Sequence, residues 1–183
     1  MPTTIIMPRV LPWLSAFILL LNMASASHER AIIEENDGKA LLIYNIAKFS
    51  VWPAGSEPEG APFTFSLWED APLFAAFHNI EGLKAQGHEV LINYHTQDSF
   101  PADCKVLVIP KHQLQKFIAS KNELKSRPIL TVTTDMSVFD AGAMVLVDVV
   151  DDRLAFSVNL QAVKASGLEI SGNLLRHARK VNF

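Results

Sequence analysis

Short apolar runs alternate with helical patterns along this chain, and this arrangement constrains its fold more than any other feature. The runs at 106–109 and 129–133 are continuous, as is typical of strands buried on both faces of a sheet. Short buried strands interleaved with helices predict an α/β fold. We expect a single-domain sandwich with a mixed sheet of about six strands flanked by helices, and one C-terminal antiparallel hairpin.

Periodicity and turn residues place the other elements. A helix is predicted over residues 29–51, and it ends before Pro53 because the residue preceding a proline is pushed out of the α region. Residues 135–141 are predicted to form a loop. The other predicted strands are 63–68, 88–94, 144–149 and 153–158, and the other predicted helices are 72–79, 111–125, 160–165 and 172–180.

The stretch 130–175 contains a close succession of residues that are typical of turns and helix ends. Asp151 and Asp152 form the predicted hairpin turn, Asn159 stands where strand gives way to helix, and Gly167 suits a left-handed helix C-cap. Ser171 is the predicted N-cap of the last helix. These residues predict the turns and helix ends that connect successive elements. They do not predict a catalytic centre, since none has the surroundings of a nucleophile.

The first 26 residues predict export. They hold one charge, Arg9, then a mostly apolar run at 10–21, and they end in Ala24-Ser25-Ala26, an A-x-A cleavage pattern. A membrane span is the competing interpretation, but the run is shorter than about 20 residues and contains a proline. We expect a signal peptide over 1–26, cleaved after Ala26, and a periplasmic domain over 27–183.

Charge and hydropathy exclude some classes of partner. The chain has 16 basic and 19 acidic residues, a formal net charge of −3. This mild acidic balance argues against nucleic acid or an anionic membrane surface as the main partner. No second stretch approaches about 18 apolar residues, so we expect the mature protein to be soluble.

Cys104 is the only cysteine, so no intramolecular disulfide can form, although export implies an oxidising compartment. It stands just before the apolar run at 106–109. This position favours a small buried hydrophobe, and an exposed thiol that pairs between chains is the alternative.

The sequence contains no recognised catalytic or metal-binding motif. None of its six histidines stands three or four residues from another or beside a cysteine or carboxylate at zinc-ligand spacing. The patterns G-x-S-x-G and S-x-x-K and a phosphate-binding glycine loop are absent. The hairpin turn explains the acidic pair Asp151-Asp152. We therefore expect no enzymatic activity, no cofactor and no metal.

Several segments, taken in order, resemble the YfiR/HmsC-like periplasmic proteins. The resemblance covers about residues 38–181, and the ordered set behind a signal peptide is more specific than any one motif. The segments are YNIAKFSVWP at 44–53, CKVL at 104–107, LTV at 130–132, GAM at 142–144, FSVN at 156–159 and GLEISGNLL at 167–175.

This resemblance implies an exported α/β protein without catalysis. Family members bind the periplasmic part of an inner-membrane GGDEF diguanylate cyclase and repress it, which lowers cyclic di-GMP and biofilm formation. An OmpA-like outer-membrane lipoprotein can titrate the repressor away, and homodimers are usual. We expect the same partners here, with a small-molecule-binding sensor domain as the alternative.

The chain departs from the family pattern at the cysteines. Ser66 stands where members carry a cysteine in the first strand, and the second pair found in some members falls on Phe139 and Leu146. The resemblance therefore implies that disulfide-based redox control is absent and that packing alone stabilises the fold.

The predicted partner-binding face surrounds the turn at Gly167. Alternation places Leu168 and Ile170 in the core and directs Glu169 outward, and a ligand pocket between Trp52 and this turn is the alternative use of the region. Trp52 either caps the core or lies on the surface. The predicted binding residues are Trp52, Ser157, Asn159, Val163, Glu169 and Ser171.

Overall fold

The computed structural model describes residues 31–56, 60–68, 73–95 and 104–182. The predicted signal peptide, the first two residues of the predicted first helix and Pro72 lie outside these ranges. The chain divides into two compact units after Glu35. Residues 31–35 of the first unit are helical, and the second unit contains all of the strands described here.

The second unit contains a mixed eight-stranded sheet and a separate two-stranded ribbon. The strands are β1 (Ser50–Val51), β2 (Phe63–Trp68), β3 (Lys84–Ala85), β4 (His88–His95), β5 (Val106–Val108), β6 (Leu130–Thr133), β7 (Val145–Val150), β8 (Arg153–Asn159), β9 (Glu169–Ile170) and β10 (Lys180–Asn182). The sheet order is β10-β8-β7-β6-β5-β2-β4-β3, and β4, β2, β5, β6 and β7 run parallel, whereas β8 is antiparallel to β7. The mixed α/β fold is confirmed, with eight sheet strands instead of about six.

The helices of the described residues are α1 (31–48), α2 (Phe74–Phe77), α3 (Leu114–Lys125), α4 (Met136–Asp140), α5 (Leu160–Ala165) and α6 (Gly172–Leu175). Short 3₁₀ turns extend two of them, His78–Ile80 after α2 and Lys111–Gln113 before α3. Within the described residues, no helix has the length and hydrophobicity needed to span a bilayer.

Three predicted boundaries are wrong. Helix α1 stops at residue 48, and the chain becomes strand β1 where helix was expected. The expected loop at 135–141 contains helix α4, because the Asp135 carboxylate accepts the backbone N–H of Ser137 at 2.9 Å as its N-cap. Helix α6 ends at Leu175 instead of Lys180, and the last residues add β10 beside β8.

Hydrophobic clusters cover both faces of the sheet. One cluster packs Ile43 and Ile46 of α1 with Phe63 and Phe65 of β2. The other packs Phe117 of α3 with the remaining face, and Cys104 is buried in it. Every residue of β5 and β6 is buried, as the two continuous apolar runs predicted. The expectation that Cys104 acts as a small buried hydrophobe is likewise confirmed.

The C-terminal hairpin is confirmed. Strands β7 and β8 pair from Val145–Val158 to Val150–Arg153. Asp151 and Asp152 have φ values of 50° and 57°, the left-handed backbone that a two-residue type I′ turn requires at both positions. The acidic pair is therefore explained by turn geometry.

Candidate functional site

The ribbon formed by β1 and β9 joins two distant parts of the chain. The strands are antiparallel, with Ser50 opposite Ile170 and Val51 opposite Glu169. Next to this register, the N–H of Ser171 donates to the carbonyl of Phe49 at 3.4 Å. The ribbon thus brings the segment that contains Trp52 beside the predicted residues Glu169 and Ser171.

Polar side chains fix the point where helix α1 gives way to the ribbon. The Ser50 hydroxyl donates to the Ile46 carbonyl at 2.8 Å, which satisfies one of the acceptors left at the helix end. On β1, the side-chain amide of Gln86 donates to the Ser50 carbonyl at 2.6 Å. The start of β1 is therefore held to its own helix and to the segment between β3 and β4.

Trp52 lies in the core and acts as an anchor for the ribbon. Only 7% of its surface is exposed, and its indole N–H donates to the Pro128 carbonyl at 2.7 Å. Its ring meets that of Phe63 edge to face, with centroids 5.2 Å apart and planes at 84°. The core-capping interpretation of Trp52 is confirmed.

The turn between α5 and β9 is a Schellman motif. The N–H of Leu168 donates to the Val163 carbonyl at 3.2 Å, and the N–H of Gly167 donates to the Lys164 carbonyl at 3.1 Å. Gly167 has φ +76°, as predicted for a left-handed C-cap. Val163 and Leu168 are buried in the same cluster, at 0% and 1% exposure, so Val163 anchors the turn in the core.

Two other predicted binding residues act as helix caps. The Asn159 side chain accepts the N–H of Ala162 at 3.0 Å at the start of α5, and the Ser171 hydroxyl accepts the N–H of Leu174 at 3.2 Å at the start of α6. The predicted N-cap at Ser171 is confirmed. Both side chains are partly exposed, so capping leaves each of them accessible from solvent.

Ser157 lies inside the sheet. It belongs to β8, where it is opposite Leu146 on one side and Lys180 on the other, and only 1% of its surface is exposed. Its hydroxyl makes no hydrogen bond among the residues that the structure describes. The side chain is therefore not available on the surface in this conformation.

The outward face of the ribbon is made of Phe49, Val51, Glu169 and Ser171, and we call it the docking face. Side chains alternate across a strand, so Ser50 and Ile170 point inward, at 3% and 7% exposure. Phe49 and Val51 are 54% and 53% exposed, and Glu169 is exposed beside Val51. The docking face combines two apolar side chains with one carboxylate.

The structure divides the six predicted binding residues into two groups. Asn159, Glu169 and Ser171 are accessible, whereas Trp52, Ser157 and Val163 are buried. Their role in partner binding remains a prediction. The predicted burial of Leu168 and Ile170 and the outward direction of Glu169 are confirmed.

Phe49 and Val51 were missed because helical periodicity placed them in the first helix. In the structure, exposed and buried residues alternate over 49–52, as they do in a strand. The sequence does not show this alternation, because three of the four residues are large and apolar. Four residues are too few to distinguish strand from helix without the partner strand.

A groove of about 500 Å³ lies along β1. It is lined by residues 48–56 together with Gln86, and it includes Trp52 but no residue of the turn at Gly167. At that turn, a Cβ added to Gly167 would lie 3.2 Å from Cγ of Pro53, which shows that the two segments are packed together. The groove therefore differs from the pocket predicted between Trp52 and Gly167.

The shifted pKa values have local causes. The pKa of Asp135 is lowered, first because the Ser137 hydroxyl donates to its carboxylate. Burial lowers the pKa of His95, and burial together with the charge of Glu81 raises the pKa of Tyr94. Among the described residues, no three or more histidine, cysteine or acidic side chains are arranged to hold a metal ion.

Similarity to known proteins identifies the family of this chain. A model of the YfiR/HmsC-like family matches residues 36–179. No curated protein matches the chain. A solved structure, a conserved domain protein from Vibrio cholerae O1 biovar El Tor strain N16961, is similar with a TM-score of 0.46 and 11% identity, over 66% of this chain and 55% of that one.

The match to that solved structure thus spans about half of its length. The family model, by contrast, covers most of this chain and agrees with the resemblance found in the sequence. The chain therefore belongs to the YfiR/HmsC-like family.

Proposed function

We propose that this chain is a periplasmic repressor of an inner-membrane GGDEF diguanylate cyclase. It binds the periplasmic part of the cyclase through the docking face and keeps the enzyme inactive. Cyclic di-GMP and biofilm formation are lowered as a result. Family membership supports the regulatory role, and the ribbon supplies a surface for it.

The observation that carries this proposal is the composition of the docking face. Phe49 and Val51 are each more than half exposed on a ribbon whose inner side is anchored in the core. A partner that covers these apolar side chains removes them from water, so their burial contributes to affinity. Glu169 beside them adds a charge that a basic partner residue recognises.

The proposal includes export and assembly. Cleavage after Ala26 releases the domain into the periplasm, where it meets the cyclase without being a membrane protein itself. An OmpA-like outer-membrane lipoprotein competes for the repressor and relieves repression, and the repressor acts as a homodimer. The A-x-A pattern supports the first of these statements, and family resemblance supports the other two.

Co-purification tests the docking face. The cyclase with its periplasmic part is captured from detergent-solubilised membranes, and the amount of bound repressor is compared among variants. Val51→Asp places a charge in the apolar part, and Glu169→Arg reverses the only acidic side chain of the docking face. Each is expected to weaken the complex by about tenfold or more, as loss of a central interface residue does.

Ile118→Asp is the matched control. Ile118 is 48% exposed on α3, similar to Val51, but it is not part of the docking face. It is expected to leave the complex unchanged. If Val51→Asp and Glu169→Arg bind the cyclase as wild type does, the docking face is excluded; if no variant and no wild-type protein binds, repression of the cyclase is excluded.

A small-molecule-binding sensor without catalytic activity is the second candidate. The groove along β1 favours it, since it has a volume of about 500 Å³ and is lined by β1 itself, including Val51 of the docking face. A thermal shift with candidate metabolites separates the two functions, because a ligand that binds only the folded state raises the melting temperature. Stabilisation by a metabolite without any cyclase binding would favour the sensor.

A further inference from the structure

Gln86 has a backbone conformation that glutamine seldom adopts. It is the first of the two residues that connect β3 to β4, which are paired at Ala85 and His88. The φ values of Gln86 and Gly87 are +53° and +89°, both positive, as a type I′ turn requires. Glycine, asparagine and aspartate adopt this conformation readily, whereas a longer side chain is strained in it. The turn by itself therefore does not favour glutamine at this position.

The side-chain amide of Gln86 reaches the end of helix α1. Its Nε2 donates to the Ser50 carbonyl at 2.6 Å and approaches the Ala47 carbonyl at 3.4 Å. Both partners are acceptors, so a side chain of this reach must supply a donor. The last carbonyls of a helix have no partner within it, and Ala47 belongs to the last turn of α1. One side chain of the β3–β4 hairpin thus joins the helix end to the first residue of β1.

A second hydrogen bond holds the same hairpin against α1. The Tyr44 hydroxyl donates to the Lys84 carbonyl at 2.7 Å. Between the two bonded positions, Ala85 is buried in the core cluster that also contains Tyr44 and Ala47. The hairpin is therefore fixed relative to α1 on both sides of Ala85, which gives the Gln86 amide a defined point from which to hold β1.

The bonds of Gln86 act on the backbone that carries two residues of the docking face. Because the peptide group is planar, the direction of the Ser50 carbonyl fixes the plane that contains N and Cα of Val51. Phe49 lies in the chain between the two carbonyls that the amide contacts. The side chains of Phe49 and Val51 are each more than half exposed, so their position depends mainly on this backbone.

We propose that Gln86 is a positioning residue for the docking face. Its amide fixes the junction between α1 and β1, and this keeps Phe49 and Val51 in place for the partner. The β3–β4 hairpin therefore controls the affinity of the docking face, and this role accounts for a glutamine where the turn favours a shorter residue. The proposal rests on the proposed function for the identity of the partner, but the order of the ribbon is measured without one.

Three substitutions separate the role of the amide from that of the turn. Gln86→Met keeps the length of the side chain and the strained backbone but has no donor. Gln86→Lys also keeps the strain, and its ammonium donates hydrogen bonds from a long side chain. Gln86→Gly relieves the strain, because glycine adopts positive φ freely, but it removes the amide.

Amide hydrogen exchange measures the order of the ribbon. The N–H of Ser171, which donates to the Phe49 carbonyl, is expected to exchange about three- to tenfold faster in Gln86→Met and Gln86→Gly, as loss of about one hydrogen bond implies. Gln86→Lys is expected to retain most of the protection. If Gln86 served only the turn, Gln86→Met and Gln86→Lys would behave alike, and Gln86→Gly would protect the ribbon as well as wild type does.

The same variants are compared for capture by the cyclase. Gln86→Met and Gln86→Gly are expected to bind about three- to tenfold more weakly, and Gln86→Lys about as wild type does. Lys84→Gln, an exposed residue of the same hairpin, is the matched control and is expected to change neither measurement. The N–H of Val90, which donates to the Leu83 carbonyl at 2.7 Å, is expected to stay protected in every variant, because the hairpin itself remains formed.

Thermal melts establish that each variant is folded before it is compared. Wild-type exchange at Ser171 in Gln86→Met would overturn the proposal, whatever the cyclase binds. Faster exchange without any loss of cyclase binding would also overturn it, since the docking face would then not depend on the order of the ribbon. If the wild-type protein does not bind the cyclase, the proposed function fails, and the exchange of Gln86→Met against Gln86→Lys still decides whether the amide holds the ribbon.

Discussion

The β7–β8 hairpin and the β1–β9 ribbon are both antiparallel pairs, but they are held in different ways. The hairpin strands are joined directly by Asp151 and Asp152, and their pairing extends over all of β7 and over Arg153–Val158 of β8. The ribbon joins strands of two residues each, Ser50–Val51 and Glu169–Ile170, from opposite ends of the domain. No turn connects them.

This difference determines what stabilises each pair. Closing a long loop costs more conformational entropy than closing a two-residue turn, and an isolated two-stranded pair is marginal even when it is longer than this one. The ribbon therefore depends on contacts outside it, chiefly those of Trp52 and of the turn at Gly167. The docking face is consequently sensitive to changes in the core beneath it.

Trp52→Ala is expected to have the largest effect on the stability of the ribbon relative to that of the hairpin. It removes a buried ring and the hydrogen bond to the Pro128 carbonyl, so the free energy of unfolding falls by about 3–5 kcal/mol. In amide hydrogen exchange, the ribbon amide of Ser171 is expected to lose more protection than the hairpin amides, because the ribbon opens locally before the domain unfolds. Denaturant unfolding and exchange measure the two effects.

Trp52→Phe is the matched variant. It keeps an aromatic ring near Phe63 but removes the indole N–H, which leaves the Pro128 carbonyl without that donor and costs about 1–3 kcal/mol. If Trp52→Ala lowered protection equally in the hairpin and the ribbon, the idea that Trp52 specifically anchors the ribbon would be wrong.

Gly167→Ala is expected to have an intermediate effect. A Cβ at φ +76° is strained by about 1–2 kcal/mol, and it would also approach Cγ of Pro53 at 3.2 Å. Both effects act on the junction that holds β9, so the melting temperature and binding to the cyclase are expected to fall together.

Gly172→Ala is the control for this prediction. Gly172 is the first residue of α6, and its φ is not in the left-handed region. Among the described residues, no atom outside its own helix backbone and its chain neighbours lies within 4 Å of an added Cβ. Alanine there is expected to be neutral or to stabilise by up to about 1 kcal/mol. Similar losses at both glycines would show that backbone conformation at Gly167 is not what holds the turn.

The sequence predicted the parts of the fold that have local signals. The sheet strands with apolar runs of three or more residues were placed within one or two residues, and so was the hairpin turn. Strands β3 and β10 were missed because two or three residues show no periodicity and are defined only by their neighbours. The last helix was predicted too long, since Arg179 suits a helix end, yet in the structure it pairs with Asp148 at 3.3 Å.

Only half of the candidate site followed from the sequence. The alternation at Leu168, Glu169 and Ile170 is local, and its prediction was correct. The exposure of Phe49 and Val51 depends on a strand partner far along the chain, which periodicity does not report. Conversely, Ser157 was grouped with this site because it is close in sequence, whereas its strand is buried between two others.

Asp152→Gly is expected to have the smallest effect, and in the opposite direction. Asp152 has φ +57°, a conformation that costs an L-residue energy and that glycine adopts freely; Asp-Gly is also a favoured pair for a type I′ turn. Part of the gain is offset because glycine loses more entropy on folding, so the net stabilisation is about 0.5 kcal/mol.

Asp152→Ala, which keeps the strain but loses the tolerance of aspartate for this conformation, is expected to destabilise. Because the hairpin is closed locally, neither substitution is expected to alter cyclase binding, in contrast to Gly167→Ala. A loss of cyclase binding in Asp152→Gly would show that the two antiparallel pairs are coupled and that the docking face extends beyond the ribbon.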